Sequence, residues 1–321
     1  MNIIYIFFNR PDKVRASFPV IRNARPSRLF LVSDGPRTGR VEDVAKVREC
    51  REYVKASIDW DCDVVEDYAE ANLGCGKRVA SGITSAFAQC GEAIVLEDDC
   101  IADEAFFDFC VTMLERYRED SRVMVITGNN FQQGAIRGAG AYYYSKYPHC
   151  WGWATWKRAW QYFDATIPFW PSIRESQRLR SVCPNPEEYA FWTKVFDRFY
   201  GGGIDTWDYP WLLCVWMQRG ITVTPNANLV ANVGFGSDAT HTHVECALTN
   251  LPTGKLAGST PPEGMLLDVI ADEFTAQTVY GVEMSKRSRR FRFARSCVRR
   301  LRKLIGQLPP QARAASAPEL R

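Results

Sequence analysis

The chain is organised around the stretch Glu92-Ala93-Ile94-Val95-Leu96-Glu97-Asp98-Asp99-Cys100. It is an apolar run of the length of a β-strand, and it ends in three consecutive carboxylates. Adjacent like charges at the end of a buried strand repel one another and lose hydration, and a bound cation relieves that cost. In an open α/β sheet, ligands bind at the carboxyl ends of the strands. The triplet therefore predicts a hard divalent cation held against a phosphorylated substrate. The alternative is a turn whose acids cap the next helix.

The composition is that of a globular protein with a sizeable core. The chain has 321 residues, of which 46% are hydrophobic, enough for one large domain or two modest ones. Its eleven cysteines are scattered and form no Cys-x-x-Cys pair, which favours reduced thiols in the cytoplasm over a disulfide framework. The apolar residues 1–8 lack the basic flank and cleavage site of a signal peptide. No run approaches the roughly 20 apolar residues of a membrane span, so we expect a cytoplasmic protein.

The charge is unevenly distributed along the chain. The net charge is +3, but residues 286–321 hold twelve Lys or Arg and one acid, which leaves 28 basic and 36 acidic residues in 1–285. Between residues 286 and 308, apolar side chains fall on one helical stripe and bases fill the other positions. This pattern predicts a basic amphipathic helix that binds the anionic cytoplasmic face of a membrane. The alternatives are docking on the acidic body of the protein, or nucleic-acid binding.

Strand and helix patterns alternate four times between residues 3 and 96. Apolar runs typical of strands cover 3–8, 28–33, 62–65 and 93–96, and helical patterns separate them. This alternation predicts an α/β fold with a mostly parallel, doubly wound sheet covered by helices on both faces. Further along, we expect strands over 123–127, 142–145 and 221–224, and helices over 104–117, 155–163, 187–200 and 207–218. Residues 225–242 and 254–264 are predicted to be loop and linker.

The turns after the first and third strands bear on nucleotide binding. After the first strand stands Asn9-Arg10-Pro11-Asp12, which excludes the Gly-x-Gly-x-x-Gly fingerprint of dinucleotide sites. After the third stands Gly74-Cys75-Gly76-Lys77-Arg78, which lacks the spacing of a P-loop. Two glycines before a helix start, followed by two bases, still form a plausible anion site. Bases there oppose the helix dipole, which favours a ligand; the alternative is a solvated first turn.

Two further side chains have surroundings that suit catalysis or ligand binding. Asp208 stands between Trp207 and Tyr209, and a partly desolvated acid there suits a general base near neutral pH. It also suits the N-cap of the helix that follows. His241 lies in a Gly-containing polar loop and could close over a nucleotide as a metal or phosphate ligand, or be a surface histidine. We interpret His149 as structural or as facing an acceptor.

Taken together, these motifs resemble the metal-dependent glycosyltransferases that have a GT-A-like nucleotide-diphospho-sugar transferase fold, which is related to the Rossmann fold. The resemblance covers roughly residues 1–245. It rests on the segments Phe8-Asn9-Arg10-Pro11, Ser33-Asp34-Gly35, Leu96-Glu97-Asp98-Asp99, Trp151-Gly152-Trp153-Ala154-Thr155-Trp156, Asn232-Val233-Gly234-Phe235-Gly236 and Thr240-His241. The acidic triplet is similar to the Glu-Asp-Asp form of the DxD motif in the N-acetylglucosaminyltransferase that begins hybrid N-glycans. It departs from the commoner Asp-x-Asp pattern, which leaves the division of labour among the three acids open.

The resemblance implies roles for residues on the donor side. Asn9, Arg10 and Asp34 would line the nucleoside pocket, with Asp34 near the base. Lys77 or Arg78 would approach the diphosphate.

It also implies the reacting groups. Asp99 would be the direct ligand of Mn²⁺ or Mg²⁺, with Glu97 and Asp98 facing hydroxyls of the sugar and the ribose. Asp208 would deprotonate the acceptor hydroxyl, as in inverting members of the family. His241 would be a late metal ligand from the closing loop.

The implied activity is a metal-dependent, inverting transfer of a hexosyl or N-acetylhexosaminyl group. The donor would be a nucleoside-diphosphate sugar, with UDP-sugars favoured, and the acceptor would be a glycan or lipid-linked molecule. Such a reaction fits bacterial surface polysaccharide synthesis by a protein peripheral to the inner face of the cell membrane, and no nucleic acid is expected as a partner. The implied architecture is a nucleotide-sugar half over 1–127, a helical acceptor and catalytic half over 128–250, a linker with a helical segment over 251–285, and the basic amphipathic helix and tail over 286–321.

Two other classes of protein stay open on the sequence. A sugar nucleotidyltransferase shares the sheet and the metal, but it should carry a Gly-rich basic loop where this chain has Asn9-Arg10-Pro11. A non-catalytic sugar- or nucleotide-binding protein would have no use for an acid triplet, a base and a closing loop together. Release of nucleoside diphosphate from UDP- or GDP-sugars with Mn²⁺ distinguishes that class from a glycosyltransferase.

Overall fold

The structure is a computed structural model that describes residues 1–234, 248, 250–256 and 258–283. The predicted ligand His241 and the predicted basic helix over 286–308 lie outside the described residues. The strands of the described part are β1 (Asn2–Phe7), β2 (Arg28–Ser33), β3 (Asp63–Tyr68), β4 (Glu92–Glu97), β5 (Cys100–Ala102), β6 (Val123–Thr127), β7 (Tyr142–Ser145), β8 (Trp153–Trp156), β9 (Ile221–Pro225) and β10 (Val230–Asn232). Its helices are α1 (Pro11–Ala24), α2 (Val41–Ala56), α3 (Cys75–Phe87), α4 (Glu104–Arg116), α5 (Lys157–Trp160), α6 (Trp170–Glu175), α7 (Pro186–Tyr200), α8 (Asp208–Met217) and α9 (Val269–Thr278), with a 3₁₀ turn at Arg178–Ser181.

Eight of these strands form one mixed sheet in the order β3-β2-β1-β4-β8-β6-β9-β7. The four strands β3, β2, β1 and β4 run parallel, as the strand–helix repeats predict, and β9 is parallel to β6. In contrast, β8 is antiparallel to both β4 and β6, and β7 is antiparallel to β9. The predicted α/β class with a mostly parallel sheet is therefore confirmed.

Helices cover both faces of the sheet because its central strands are apolar on both sides. Along β1, Ile3, Tyr5 and Phe7 pack with α1, α2 and α4, whereas Ile4 and Ile6 pack with α3, α5 and α8. This alternation follows the two-residue period of a strand. A third apolar cluster joins α6, α7 and α8 to α9 and forms a helical region beside the sheet. Among the helices of the described residues, none is both long and apolar enough to span a membrane.

The aromatic stretch 153–156 is a strand, so the prediction of a helix over 155–163 is wrong at its start, and it is also too long at its end, since α5 covers only Lys157–Trp160. β8 fits between β4 and β6, where Trp153 pairs with Val95 of β4. Thr155 donates its hydroxyl to the carbonyl oxygen of Met124 in β6 at 2.7 Å. Aromatic and β-branched residues suit a strand that has neighbours on both sides. Pairing with distant strands therefore overrides the local helical pattern, and α5 begins only after the strand ends.

Part of the predicted loop over 225–242 is also a strand. β10 pairs antiparallel with β5, the short strand that follows the acidic triplet, and the two form a separate small sheet. Asn232 lies opposite Cys100 in this pairing. A strand of three residues is too short for a recognisable period, and its partner is distant in sequence, so the sequence pattern did not predict it. The pairing places residues 232–234 beside the acids.

We predict that Gly82 in α3 is required for the packing of that helix on β2. A Cβ atom at position 82 would lie 2.3 Å from Cγ1 of Val32, a side chain that is itself buried. Gly82→Ala should therefore lower the free energy of unfolding by about 1–3 kcal/mol, even though alanine favours the helix. Urea denaturation measures the change. Gly91→Ala is the matched control, because a Cβ at Gly91 meets no atom within 4 Å; equal stability of the two variants would contradict the packing described.

Candidate active site

A cavity of about 780 Å³ opens at the carboxyl ends of β1 and β4. Arg10, Glu97 and Asp99 line it from the sheet, and Asn232 lines it from β10. Asp208 and its neighbours in the loop before α8 form the opposite wall. Aromatic side chains from residues 131–151 and from position 280 complete it. The cavity therefore brings together the acids after β4 and the acid before the helical region.

Asp98 is the member of the acidic triplet whose carboxylate is paired within the protein, and its contact with a sugar or ribose hydroxyl stays a prediction. It is 2% exposed, accepts a hydrogen bond from the backbone N–H of Phe8 at 3.2 Å and forms an ion pair with Arg10. These contacts turn its carboxylate towards the turn between β1 and α1 and not towards the cavity. A buried charge is tolerated only when it is paired and hydrogen-bonded. Asp98 thus fixes Arg10 at the edge of the site.

Asp99 is the member that faces the cavity, and its surroundings are built from three distant segments. Its Oδ2 accepts from Arg10 Nη2 at 3.0 Å, and its Oδ1 accepts from Asn232 Nδ2 at 3.2 Å. The backbone N–H of Val233 donates to its carbonyl oxygen at 2.8 Å. A Cβ atom at Gly234 would lie 2.1 Å from Asp99 Oδ2, so only glycine lets the chain pass this close to the carboxylate. Asn232 was missed as a site residue, although it stands in a motif that carries the family resemblance.

Glu97 is held in an environment that opposes its charge. Burial, followed by the nearby carboxylates of Asp99 and Asp98, raises the pKa of Glu97 to about 8. Like charges in a desolvated site favour protonation of one of them, or a cation between them. A bound cation would relieve this repulsion, and the cation itself stays a prediction.

Asp208 is the first residue of α8, and Trp207 is the N-cap of that helix, so Asp208 does not serve as the N-cap. Its Oδ1 accepts from the backbone N–H of Tyr209 at 3.0 Å and from the hydroxyl of Thr206. These two bonds orient the carboxylate at the wall of the cavity.

In the first turn of α3, where an anion site was predicted, a backbone N–H group binds a carboxylate of the protein itself. The backbone N–H of Gly76 donates to Asp205 Oδ1 at 3.2 Å. Arg78 is buried and pairs with Asp67 at 2.7 Å, whereas Lys77 is exposed. Neither base lines the cavity. The diphosphate role of Lys77 or Arg78 stays a prediction.

The two residues predicted to line a nucleoside pocket with Arg10 also lie outside the cavity. Asn9 donates to Asp43 Oδ1 at 2.7 Å. The buried carboxylate of Asp34 accepts from the backbone N–H groups of Leu73 at 2.9 Å and Gly74 at 3.1 Å. Asp34 therefore ties the loop before α3 to the end of β2. The structure brings Arg10, Glu97, Asp99 and Asp208 into one cavity; the nucleoside roles of Asn9 and Asp34 stay predictions.

Aromatic side chains line one end of the cavity, and His149 lies among them. The imidazole is 7% exposed and lies edge-on to Phe131, with ring centroids 4.6 Å apart. Burial lowers the pKa of His149 to about 3, so the ring is neutral at physiological pH. Tyr280, which follows α9, lines the same end. Tyr280 and Phe131 were missed as site residues because their segments show neither helical nor strand period.

Comparisons with known proteins give weak likenesses. No protein-family model matches the chain, and no curated protein matches it. Solved structures that resemble it include S. aureus TarS 1–349, with 11% identity, a TM-score of 0.33 and coverage of 49% of this chain and 46% of that one. An active-site mutant of LgtC has 11% identity, a TM-score of 0.32 and coverage of 55% and 65%. The galactosyltransferase LgtC in complex with donor and acceptor sugar analogues has 10% identity, a TM-score of 0.32 and coverage of 67% and 70%. The chain thus matches less than half of the TarS fragment, and likenesses this slight assign no family or activity.

We predict that His149 makes the protein sensitive to acid. In the unfolded chain the imidazole binds a proton below about pH 6.5, whereas in the folded protein it stays neutral down to about pH 3. The unfolded state therefore binds the extra proton, and the free energy of unfolding falls as the pH drops through this window. The difference in unfolding free energy between His149→Phe and the wild type should therefore shift in favour of the variant by about 2 kcal/mol when the pH is lowered from 8 to 5. Urea denaturation at both pH values measures this, and an equal difference at the two would show that His149 titrates normally.

Proposed function

We propose that the protein transfers a sugar from a nucleoside-diphosphate sugar to an acceptor hydroxyl, with inversion at the anomeric carbon and with the help of Mn²⁺ or Mg²⁺. One observation supports this most strongly: Glu97 and Asp99, at the carboxyl end of β4, share a cavity with Asp208 from α8. Acids suited to a cation and an acid suited to a base thus face the same space. A cavity of about 780 Å³ is in the range of small-molecule sites.

The residues present fit a hard divalent cation bound mainly by substrate. Mg²⁺ and Mn²⁺ take carboxylate and phosphate oxygens and need only one or two protein ligands. In the described residues there is no group of three or more His, Cys, Asp or Glu arranged to hold a metal, so Asp99 would bind it together with the diphosphate. Arg10 can release Asp99 without losing its ion pair, because it also holds Asp98. His241, outside the described residues, would be a further ligand.

The reaction needs a base, a nucleophile and a stabilised leaving group. When bound, the cation would stabilise the charge on the departing nucleoside diphosphate as a Lewis acid. Asp208 accepts the proton of the acceptor hydroxyl, and the hydroxyl oxygen forms a bond to the anomeric carbon. The bond from that carbon to the diphosphate oxygen breaks, and its electron pair leaves with the diphosphate. The single displacement inverts the configuration. The bonds from Tyr209 and Thr206 orient Asp208 for this role.

The finer assignments rest on the sequence. We propose a UDP-sugar as donor, a hexosyl or N-acetylhexosaminyl group as the moiety transferred, and a glycan or lipid-linked acceptor in surface polysaccharide synthesis. Asn9, Arg10 and Asp34 would contact the nucleoside, and Lys77 or Arg78 the diphosphate. The basic residues between 286 and 308 would hold the protein on an anionic membrane surface.

We predict that Asp99 and Asp208 can be separated by their effects. Asp99→Ala should weaken the Mn²⁺-dependent binding of UDP by about 100-fold or more, because it removes the direct metal ligand. Asp208→Asn should keep that binding and lower the turnover of UDP- or GDP-sugars by about 100-fold or more, because it removes only the base. Calorimetry measures binding, and release of nucleoside diphosphate measures turnover.

Asp108→Asn on the exposed face of α4 is the matched control for loss of a carboxylate. It should leave both quantities unchanged. Undiminished Mn²⁺-dependent binding in Asp99→Ala would show that the metal lies elsewhere. Failure of the wild-type protein to turn over any donor would contradict the proposed activity itself.

A further inference from the structure

The cavity also has an aromatic lining, whose chemistry differs from that of the acids. It is formed by Phe131, His149, Trp151 and Tyr280, which we call the aromatic end. His149 and Tyr280 both pack on Tyr147: the imidazole lies parallel to its ring at 6.2 Å, and the ring of Tyr280 lies at 5.2 Å. Phe131 lies edge-on to both His149 and Trp151, at 4.6 and 5.3 Å. These contacts make the aromatic end one continuous surface.

This surface has a rigid base. Tyr147 is fully buried, and its hydroxyl donates to the buried carboxylate of Glu188. Glu188 in turn pairs with Lys146 at 2.7 Å, and the Lys146 ammonium also donates to the carbonyl oxygen of Val182. A buried, fully hydrogen-bonded network of this kind specifies one arrangement of its side chains. The aromatic end is therefore formed before any ligand arrives.

His149 has unused hydrogen-bonding capacity in this surface. The ring is 7% exposed and lines the cavity, yet across residues 1–234, 248, 250–256 and 258–283 it has no hydrogen-bond partner. Because His149 lines the cavity, a ligand or an ordered water there can supply its hydrogen bonds. A neutral imidazole offers one N–H donor and one nitrogen acceptor. That pair complements a hydroxyl group, which both donates and accepts.

The electrostatics of the aromatic end favour an uncharged partner over an anionic one. Burial first, and then the carboxylates of Asp208 and Glu97, raise the pKa of Cys150 in the cavity wall well above its usual value. The carboxylates of the cavity therefore act on this part of its wall as well. Of the two cationic side chains that line the described cavity, Arg10 is held by the acids, and Arg198 is exposed. A phosphate or carboxylate at this end would be repelled by these carboxylates, and the exposed Arg198 offsets that repulsion only weakly because water screens its charge.

We propose that the aromatic end binds an uncharged sugar ring of the acceptor, with His149 as its specificity-determining residue. The aromatic side chains pack on the apolar face of the ring, and the His149 imidazole bonds one of its hydroxyls. Sites built to bind a hydroxyl reject analogues that lack it, because the buried partner is then left unpaired. This inference rests on the proposed function, since it assigns the acceptor of the same reaction. It places the charged part of any lipid-linked acceptor outside this end.

The test is a titration of protein labelled with ¹⁵N in its three histidines, with UDP and Mn²⁺ present. The probes are methyl glycosides of neutral hexoses and N-acetylhexosamines, with methyl glucuronide as the charged counterpart of methyl glucoside. The spectrum of His149→Phe identifies the His149 signals by their loss. We expect at least one neutral glycoside to shift these signals saturably. Its Kd, followed by tryptophan fluorescence, should rise about 10-fold or more in His149→Phe, and His149→Gln, which keeps a donor and an acceptor, should restore most of the affinity.

Three results would overturn the inference: no shift of the His149 signals with any neutral glycoside, equal affinity of the wild type and His149→Phe, or tighter binding of methyl glucuronide than of methyl glucoside. Affinity for UDP in the same samples reports whether each variant is folded. Donor hydrolysis by the same wild-type preparation separates this inference from the proposed function. Donor hydrolysis without glycoside binding would contradict the inference alone. Glycoside binding at His149 without hydrolysis of any donor would contradict the proposed function, and the aromatic end would then be a sugar-binding site without that activity.

Discussion

The site depends on one arrangement of charge, in which the guanidinium of Arg10 lies between the carboxylates of Asp98 and Asp99. Three adjacent acids at the end of a buried strand would otherwise repel one another, and burial together with this repulsion still raises the pKa of Glu97. Because Arg10 belongs to the turn after β1 and the acids follow β4, the ion pairs also bind two central strands together at their carboxyl ends. Loss of either partner would leave an unpaired charge in a desolvated place. The arrangement is stable as it stands and has an excess of negative charge on the side of the cavity.

Other segments of the chain complete the site around this excess of negative charge. β10 brings Asn232 to Asp99, and Gly234 lets the backbone pass beside the carboxylate. β8 joins the two halves of the sheet and leads the chain out of the aromatic surface. α8 starts with Asp208 on the far wall, and its other side chains are buried in two of the three apolar clusters. The acids after β4, Asp208 and the aromatic end thus come from separate segments, and each is fixed by packing outside the cavity.

The parts predicted from sequence are those that depend on local patterns. Apolar runs separated by helical periods are enough to place β1 to β4 in parallel, and the acids of β4 stand out because no folding requirement explains them. β8 and β10 depend instead on pairing with strands that are far away in the sequence. The four residues of β8 taken alone could equally begin a helix. The hydrogen-bond and ion-pair partners of Arg10 and Asp34 could not be predicted from the sequence either, because they are also distant along the chain. Tyr280 enters the cavity only because α9 packs on the third apolar cluster, which no local pattern reveals.

The central claim is that Asp99 holds a divalent cation and a nucleoside diphosphate in this cavity. A crystal structure with Mn²⁺ and UDP tests it most directly, because the anomalous signal locates the metal without assumptions about activity. We predict a manganese peak about 2.1 Å from an Asp99 carboxylate oxygen and in contact with phosphate oxygens of UDP. A metal bound away from Asp99, or a diphosphate bound outside the cavity, would contradict the account.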